Sequence, residues 1–279
     1  MKERVVTGII MALVALFAIR FLPSWLFQLA LLVVVIIGVV EWARMLHEDV
    51  RLPYLLINTL LLVIAYIFLV THSHDLLLTV NAFATYLWLT VPVVLYLQVK
   101  YPRDWIVSTR LTAFCSSLML MGFFVSIGML HQLPGGYGFG LVLYVIALVA
   151  LADSGAYFVG RKMGVNKLAP SISPGKTIEG ALGGLIFSTV FAILVAISLP
   201  ESFTGGQKFG FILISMIAAM LSVSGDLYES LIKRHAGYKD SGNLFPGHGG
   251  VLDRIDGLIA GATFFAFGFY LFNMNVSTL

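Results

Sequence analysis

Nine stretches of about twenty mostly apolar residues follow one another along the 279-residue chain, at roughly 5–22, 23–41, 53–71, 76–99, 111–130, 139–159, 180–199, 209–226 and 257–273. A helix of that length crosses the ~30 Å hydrocarbon core of a bilayer. There it can satisfy its backbone N–H and C=O groups internally. The stretches are unbroken instead of alternating residue by residue, which argues against a β-barrel. Hydrophobic residues make up 59% of the chain and charged residues 11%, against about half and a quarter in soluble domains. Disorder, a coiled coil and an ordinary soluble enzyme are excluded. The expected fold is all-α: a polytopic membrane protein with about nine transmembrane helices. The first stretch follows Lys2 and Arg4 as a signal peptide would. It meets the second at Leu22-Pro23-Ser24 with no clear small-residue cleavage site, so it reads as a retained helix.

The charges orient the bundle. With the N-terminus and the connections after even-numbered spans taken as one side, that side holds fifteen of the 17 Lys and Arg residues. They are Lys2, Arg4, Arg44, Arg51, Lys100, Arg103, Arg110, Arg161, Lys162, Lys167, Lys176, Lys233, Arg234, Lys239 and Arg254. Arg20 and Lys208 fall on the other side. This bias predicts a cytoplasmic N-terminus. All the acids except Asp75 and Glu201 sort to the same side, as do His47, His235 and His248. Chemistry on water-soluble molecules is therefore expected at the cytoplasmic face. No loop exceeds about 20–30 residues, too short for a soluble domain. The single cysteine, Cys115, has no partner for an intrachain disulfide and reads as a small core residue.

Polar motifs cluster in 153–256, so residues 1–135 are expected to supply scaffold helices and dimer contacts, and 136–279 the catalytic region. Asp153-Ser154-Gly155-Ala156-Tyr157 places a carboxylate toward the cytoplasmic end of the sixth span, an expensive position that points to function. Ser173-Pro174-Gly175-Lys176-Thr177-Ile178-Glu179 is no P-loop, because Pro170 stands where the first glycine belongs and no strand is expected before it. It is expected to be a rigid polar turn feeding a helix N-terminus, suited either to an anion or simply to capping the helix. If the eighth helix continues past the membrane, Asp226, Ser230 and Lys233 share one face, with Glu229 beside them. Downstream, Asp253 and Asp256 stand three apart at the start of the last span. Carboxylates with oxygen-only neighbours suit Mg²⁺, a hard cation that also binds phosphates. His248 in its glycine-rich loop reads equally as a phosphate or proton donor and as a plain turn residue. The pairs Gly180/Gly184 and Gly257/Gly261 have the spacing of close helix packing.

The run Ser230-x-Ile232-Lys233-Arg234-x4-Lys239-Asp240-x-Gly242-x2-Phe245-Pro246-x-His248-Gly249-Gly250-Val251-x-Asp253-Arg254-Ile255-Asp256 resembles the signature of the phosphatidate cytidylyltransferase (CDP-diacylglycerol synthase) family. The segments around Asp153 and Lys176 resemble the same family, and Glu41-Trp42 is a weaker echo. The resemblance implies that CTP and phosphatidic acid, at the bilayer surface, give CDP-diacylglycerol and pyrophosphate. It implies a metal centre at Asp226 and Asp253 with Asp256 close by, Mg²⁺ with K⁺ as a second cation, and a homodimer. On this reading Lys176, Lys233, Arg234, Lys239 and Arg254 contact phosphate, joined by Ser173 and Thr177. Ser230 and Asp240 fall in the substrate site, and His248 belongs to the catalytic group. Asp153 binds metal, orients a base or shapes the pocket. No nucleic-acid partner is expected, and a bacterial inner membrane is the expected location. The rivals are a CTP-dependent lipid-alcohol kinase, which would share the metal and phosphate logic, and an ion-coupled transporter. A transporter should carry polar groups through its depth, and here they gather at one end.

Overall fold

The computed structural model describes residues 2–102, 107–245, 247–272 and 274. Arg103 and Pro246, with the side chains of Lys2 and Arg4, lie outside the described residues. The helices are α1 (Lys2–Phe21), α2 (Ser24–Arg44), α3 (Glu48–Val70), α4 (His74–Lys100), α5 (Thr109–His131), α6 (Tyr137–Met163), α7 (Ile178–Ser198), α8 (Gly205–His235) and α9 (Leu252–Leu271). Eight of them, α2 to α9, are long and apolar enough to cross a membrane, and α1 adds a shorter apolar helix, Val6–Phe21, within its described side chains. The protein is thus an all-α polytopic membrane protein. Broad apolar faces stay exposed around the bundle, as on Leu56, Leu60, Leu182 and Ile186.

Small residues set how closely the helices approach. A Cβ at Gly184 would stand 2.4 Å from the Ala152 carbonyl oxygen, and one at Gly180 2.8 Å from that of Ala156, so α6 and α7 meet backbone to backbone. Gly257 and Gly261 press α9 against the Ser222 and Ala218 carbonyls of α8 in the same way. The expected packing role of both pairs therefore holds. On its other side α9 is gripped by α4, where Asn81 Nδ2 and Thr85 Oγ1 both donate to the Thr263 carbonyl at 3.4 Å. Such bonds substitute for water that the hydrocarbon region lacks. Cys115 is buried in α5.

Two local features differ from the sequence expectation. α8 runs nine residues beyond the apolar stretch that ends at 226, to His235, while α9 begins at Leu252, with Asp253 and Asp256 at its start as expected. The connection between them shrinks to 236–251. Hydropathy falls where a helix leaves lipid, not where it ends. The segment around Lys176 is not a turn. Lys167–Ala169 forms a short strand, β1, and Ser173–Thr177 forms β2, which pairs with it antiparallel, Lys167 opposite Thr177. A strand therefore does precede the Gly-Lys-Thr segment. Pro174 is compatible with an extended backbone on such an edge, and buried Ala169 and Ile172 seat the hairpin on the bundle. β2 runs straight into α7, whose N-cap is Thr177, leaving no loop to wrap a phosphate.

Candidate active site

One face of α8 is the ruler of the site. Asp226, Glu229, Ser230 and Lys233 recur at helical spacing because α8 is continuous past residue 226. The β-hairpin delivers Lys176 to the first of them, with Nζ 2.6 Å from Asp226 Oδ2. Ser230 Oγ donates to Asp226 Oδ1 at 3.3 Å. This pair opens on a cleft of about 460 Å³ between α6, the hairpin, α7 and α8, where Asp153, Arg161, Ser173 and Thr177 also line the wall. Asp153 lies within electrostatic reach of both Asp226 and Lys176. Arg161 rests on the Tyr157 hydroxyl at 3.0 Å.

Two turns further along α8, Lys233 is buried between two carboxylates, 2.6 Å from Asp253 Oδ1 and 3.3 Å from Glu229 Oε1. Asp253 is held from its other oxygen. Its Oδ2 accepts the Ser241 N–H at 2.8 Å, the Gly250 N–H at 2.8 Å and a contact from Ser241 Oγ at 2.9 Å. The loop 236–251 thus folds around one carboxylate oxygen. Behind it lies Glu41 of α2, 3% exposed. Glu41 accepts the N–H groups of Val251 and Leu252 and lies 2.9 Å from Ser241 Oγ.

Asp256, one turn below Asp253, accepts its neighbour's N–H at Oδ1 and lies within electrostatic reach of Asp226, Glu229 and Lys233. It therefore links the two clusters. Together they hold five carboxylates (Asp153, Asp226, Glu229, Asp253 and Asp256) against two lysines, Lys176 and Lys233. Both Glu229 oxygens are buried, with the Lys233 ammonium 3.3 Å from Oε1. The carboxylates offer oxygen donors only, the kind that a hard cation takes. No three His, Cys, Asp or Glu side chains among the described residues close a metal cage. Their oxygen donors are of the kind that Mg²⁺ takes within a shell completed by water and phosphate oxygens.

Other expected site residues stand apart. Arg234 is exposed and donates to the Tyr238 carbonyl at 3.3 Å. Lys239, Asp240 and Arg254 are exposed, with no ion pair among the described residues. His248 packs against Gly8 of α1, and its Nδ1 is buried without a partner among the described residues. Thr177 Oγ1 accepts the Gly180 N–H, so its hydroxyl caps α7 while its side chain lines the cleft. Glu179 binds back to the N–H groups of Val165 and Asn166 and fixes the end of α6 to the hairpin. Sequence reading assigned no role to Ser241 and little to Glu41. The Glu41-Trp42 echo was the only signal for the latter.

An apolar groove of about 340 Å³ between α4, α7 and α8 shares Leu168, Ala181 and Val223 with the charged cleft. Charge and grease therefore meet at one edge.

The profile of the Cytidylyltransferase family matches residues 2–272. The phosphatidate cytidylyltransferase of Haemophilus influenzae is 36% identical over 291 aligned residues, 98% of this chain and 99% of its own. Those of Bacillus subtilis and Pseudomonas aeruginosa are 33% and 37% identical, covering 98% and 95% of this chain and 99% and 96% of theirs.

Proposed function

The chain belongs to the cytidylyltransferase family, and from that premise we propose that the cleft at Lys176 and Asp226 is where it joins CTP to phosphatidate. The products are CDP-diacylglycerol and pyrophosphate. The observation that carries this placement is the junction of a charged cleft with an apolar groove. One substrate is a soluble polyanion and the other keeps its acyl chains in the bilayer.

A phosphate oxygen of phosphatidate forms a bond to the α-phosphorus of CTP, and the bond from that phosphorus to the β-phosphate oxygen breaks. The nucleophile is already ionised near neutral pH, so no strong general base is required. The barrier lies in bringing two anions together and in stabilising the departing pyrophosphate. Lys176, on a hairpin wedged against α8, can turn from Asp226 to an entering phosphate. Arg161 sits on the same wall, and exposed Lys239 and Arg254 would meet phosphate from the solvent side. Lys233 stays buried and fixes Asp253. Asp226, Asp256 and Asp253 would hold Mg²⁺, with K⁺ as a second cation, which would neutralise phosphate charge and polarise the α-phosphoryl group. In this reading the protein works as a homodimer in a bacterial inner membrane with the cleft facing the cytoplasm. The fifteen-to-two charge bias and the bacterial relatives support that orientation and location.

The test is turnover by detergent-purified protein given phosphatidate, α-labelled CTP, Mg²⁺ and K⁺. Label is expected in lipid with one pyrophosphate released per lipid labelled. Unlabelled lipid, or phosphate transferred to a lipid alcohol instead, would refute the reading. Excess chelator is expected to stop the reaction and Mg²⁺ to restore it; undiminished turnover in chelator would reject the metal.

A further inference from the structure

We propose that Glu41, in the N-terminal half of the chain, is a positioning residue for Asp253, acting through Ser241 and the first turn of α9. The inference rests on the cytidylyltransferase reading of the site and adds to it a residue some 200 positions away in sequence.

A helix begins with N–H groups that have no partner in the helix. The N-cap of α9, Val251, has no side chain that could serve them. Glu41 takes that place from another helix. Oε1 accepts the Val251 N–H and Oε2 the Leu252 N–H, both at 2.9 Å. A carboxylate at a helix N-terminus also gains from the helix dipole. Asp253 is the next residue, so the cap fixes where its side chain starts.

The second link is Ser241. Its Oγ lies 2.9 Å from Glu41 Oε2 and 2.9 Å from Asp253 Oδ2, and it has one proton to give. Asp253 Oδ2 already accepts two backbone N–H groups, whereas Glu41 Oε2 accepts one. Donation to Glu41 leaves Asp253 with more free negative charge, and donation to Asp253 leaves it with less. The third link is steric. A Cβ at Gly250 would come 2.4 Å from Glu41 Oε1, and one at Gly242 2.5 Å from it, so the loop closes over this carboxylate only because both positions lack side chains. Glu41, Ser241, Gly242, Gly250 and Asp253 form one assembly. Burying a carboxylate at 3% exposure is costly unless its oxygens are satisfied. A helix cap serving the fold alone could have come from a nearby Ser or Asp, as Thr204 caps α8.

The experiment compares wild type with Glu41→Gln, Ser241→Ala and the double variant in the cytidylyl-transfer assay, with melting temperature in detergent measured on the same samples. Glu41→Gln keeps the shape but sets an amide N–H against backbone donors. The expected result is a fall in kcat of about 10- to 100-fold, with KM for CTP little changed, at an assay temperature well below the variant's melting point. Ser241→Ala is expected to reproduce part of the loss. The double variant should be little worse than Glu41→Gln alone, because both act on one group. Near-wild-type kcat in Glu41→Gln would overturn the proposal. So would a loss that vanishes when the assay is cooled, or losses that multiply in the double variant. Wild-type protein without cytidylyl transfer would instead sink the functional reading, and this role with it.

Discussion

Asp253→Ala is expected to abolish turnover while leaving a folded protein in the membrane. Asp253 is the point where the loop 236–251, α8 and α9 converge. One oxygen takes Lys233 at 2.6 Å and the other takes the Ser241 and Gly250 N–H groups. Loss of one preorganised electrostatic group costs roughly 10²- to 10³-fold in comparable sites, and more if the group also holds metal. The structural cost is bounded by what remains. Lys233 keeps Glu229 at 3.3 Å as a counter-charge, so no buried ammonium is left alone. The orphaned N–H groups cost about 1–3 kcal/mol each unless water reaches them. Asp253→Asn keeps the shape but sets an amide N–H against either the Lys233 ammonium or the backbone donors, so it should be equally inactive. The checks are cytidylyl transfer and melting temperature on the same purified samples. Full activity in either variant would remove Asp253 from the mechanism.

The helices were legible because twenty apolar residues in a row have few alternatives in a bilayer. Their ends were less so. α8 keeps its helix for nine residues after hydropathy falls, since its polar face there meets protein instead of lipid. The segment Ser173-Pro174-Gly175 has turn residues, yet it lies in a strand because β1 pairs with it, and pairing is not a local property. Of the candidate site, Asp153 and Asp226 stood out in the sequence by the cost of a carboxylate at membrane depth, and Lys176 and Lys233 by the polar motifs around them. Their partners did not. Lys176 meets Asp226 across fifty positions, and no spacing rule links the two. Glu41 was hardest, because a glutamate at the end of an apolar run looks like an ordinary membrane-edge charge. Only the tertiary fold, which packs α2 beside the start of α9, reveals that it faces inward.

Lys233→Met is expected to be the most destabilising single change in the site. The lysine and its two partners are each less than a tenth exposed at the side chain. Removing the cation leaves Glu229 and Asp253 adjacent, buried and alike in charge. Breaking a buried ion pair from one side typically costs about 3–5 kcal/mol. In a chain of this size that lowers the melting temperature by on the order of 10 °C. Glu229→Gln in the same chain removes the stranded charge, since Asp253 retains its backbone donors, and most of the lost stability should return. Turnover should not return with it, because Asp253 would then stand without the ammonium that sets its orientation and the local charge balance. An unchanged melting temperature in Lys233→Met would mean that the triad carries no net stabilisation. Recovery of both stability and turnover in the double variant would reduce Lys233 to a structural counter-ion with no part in positioning Asp253.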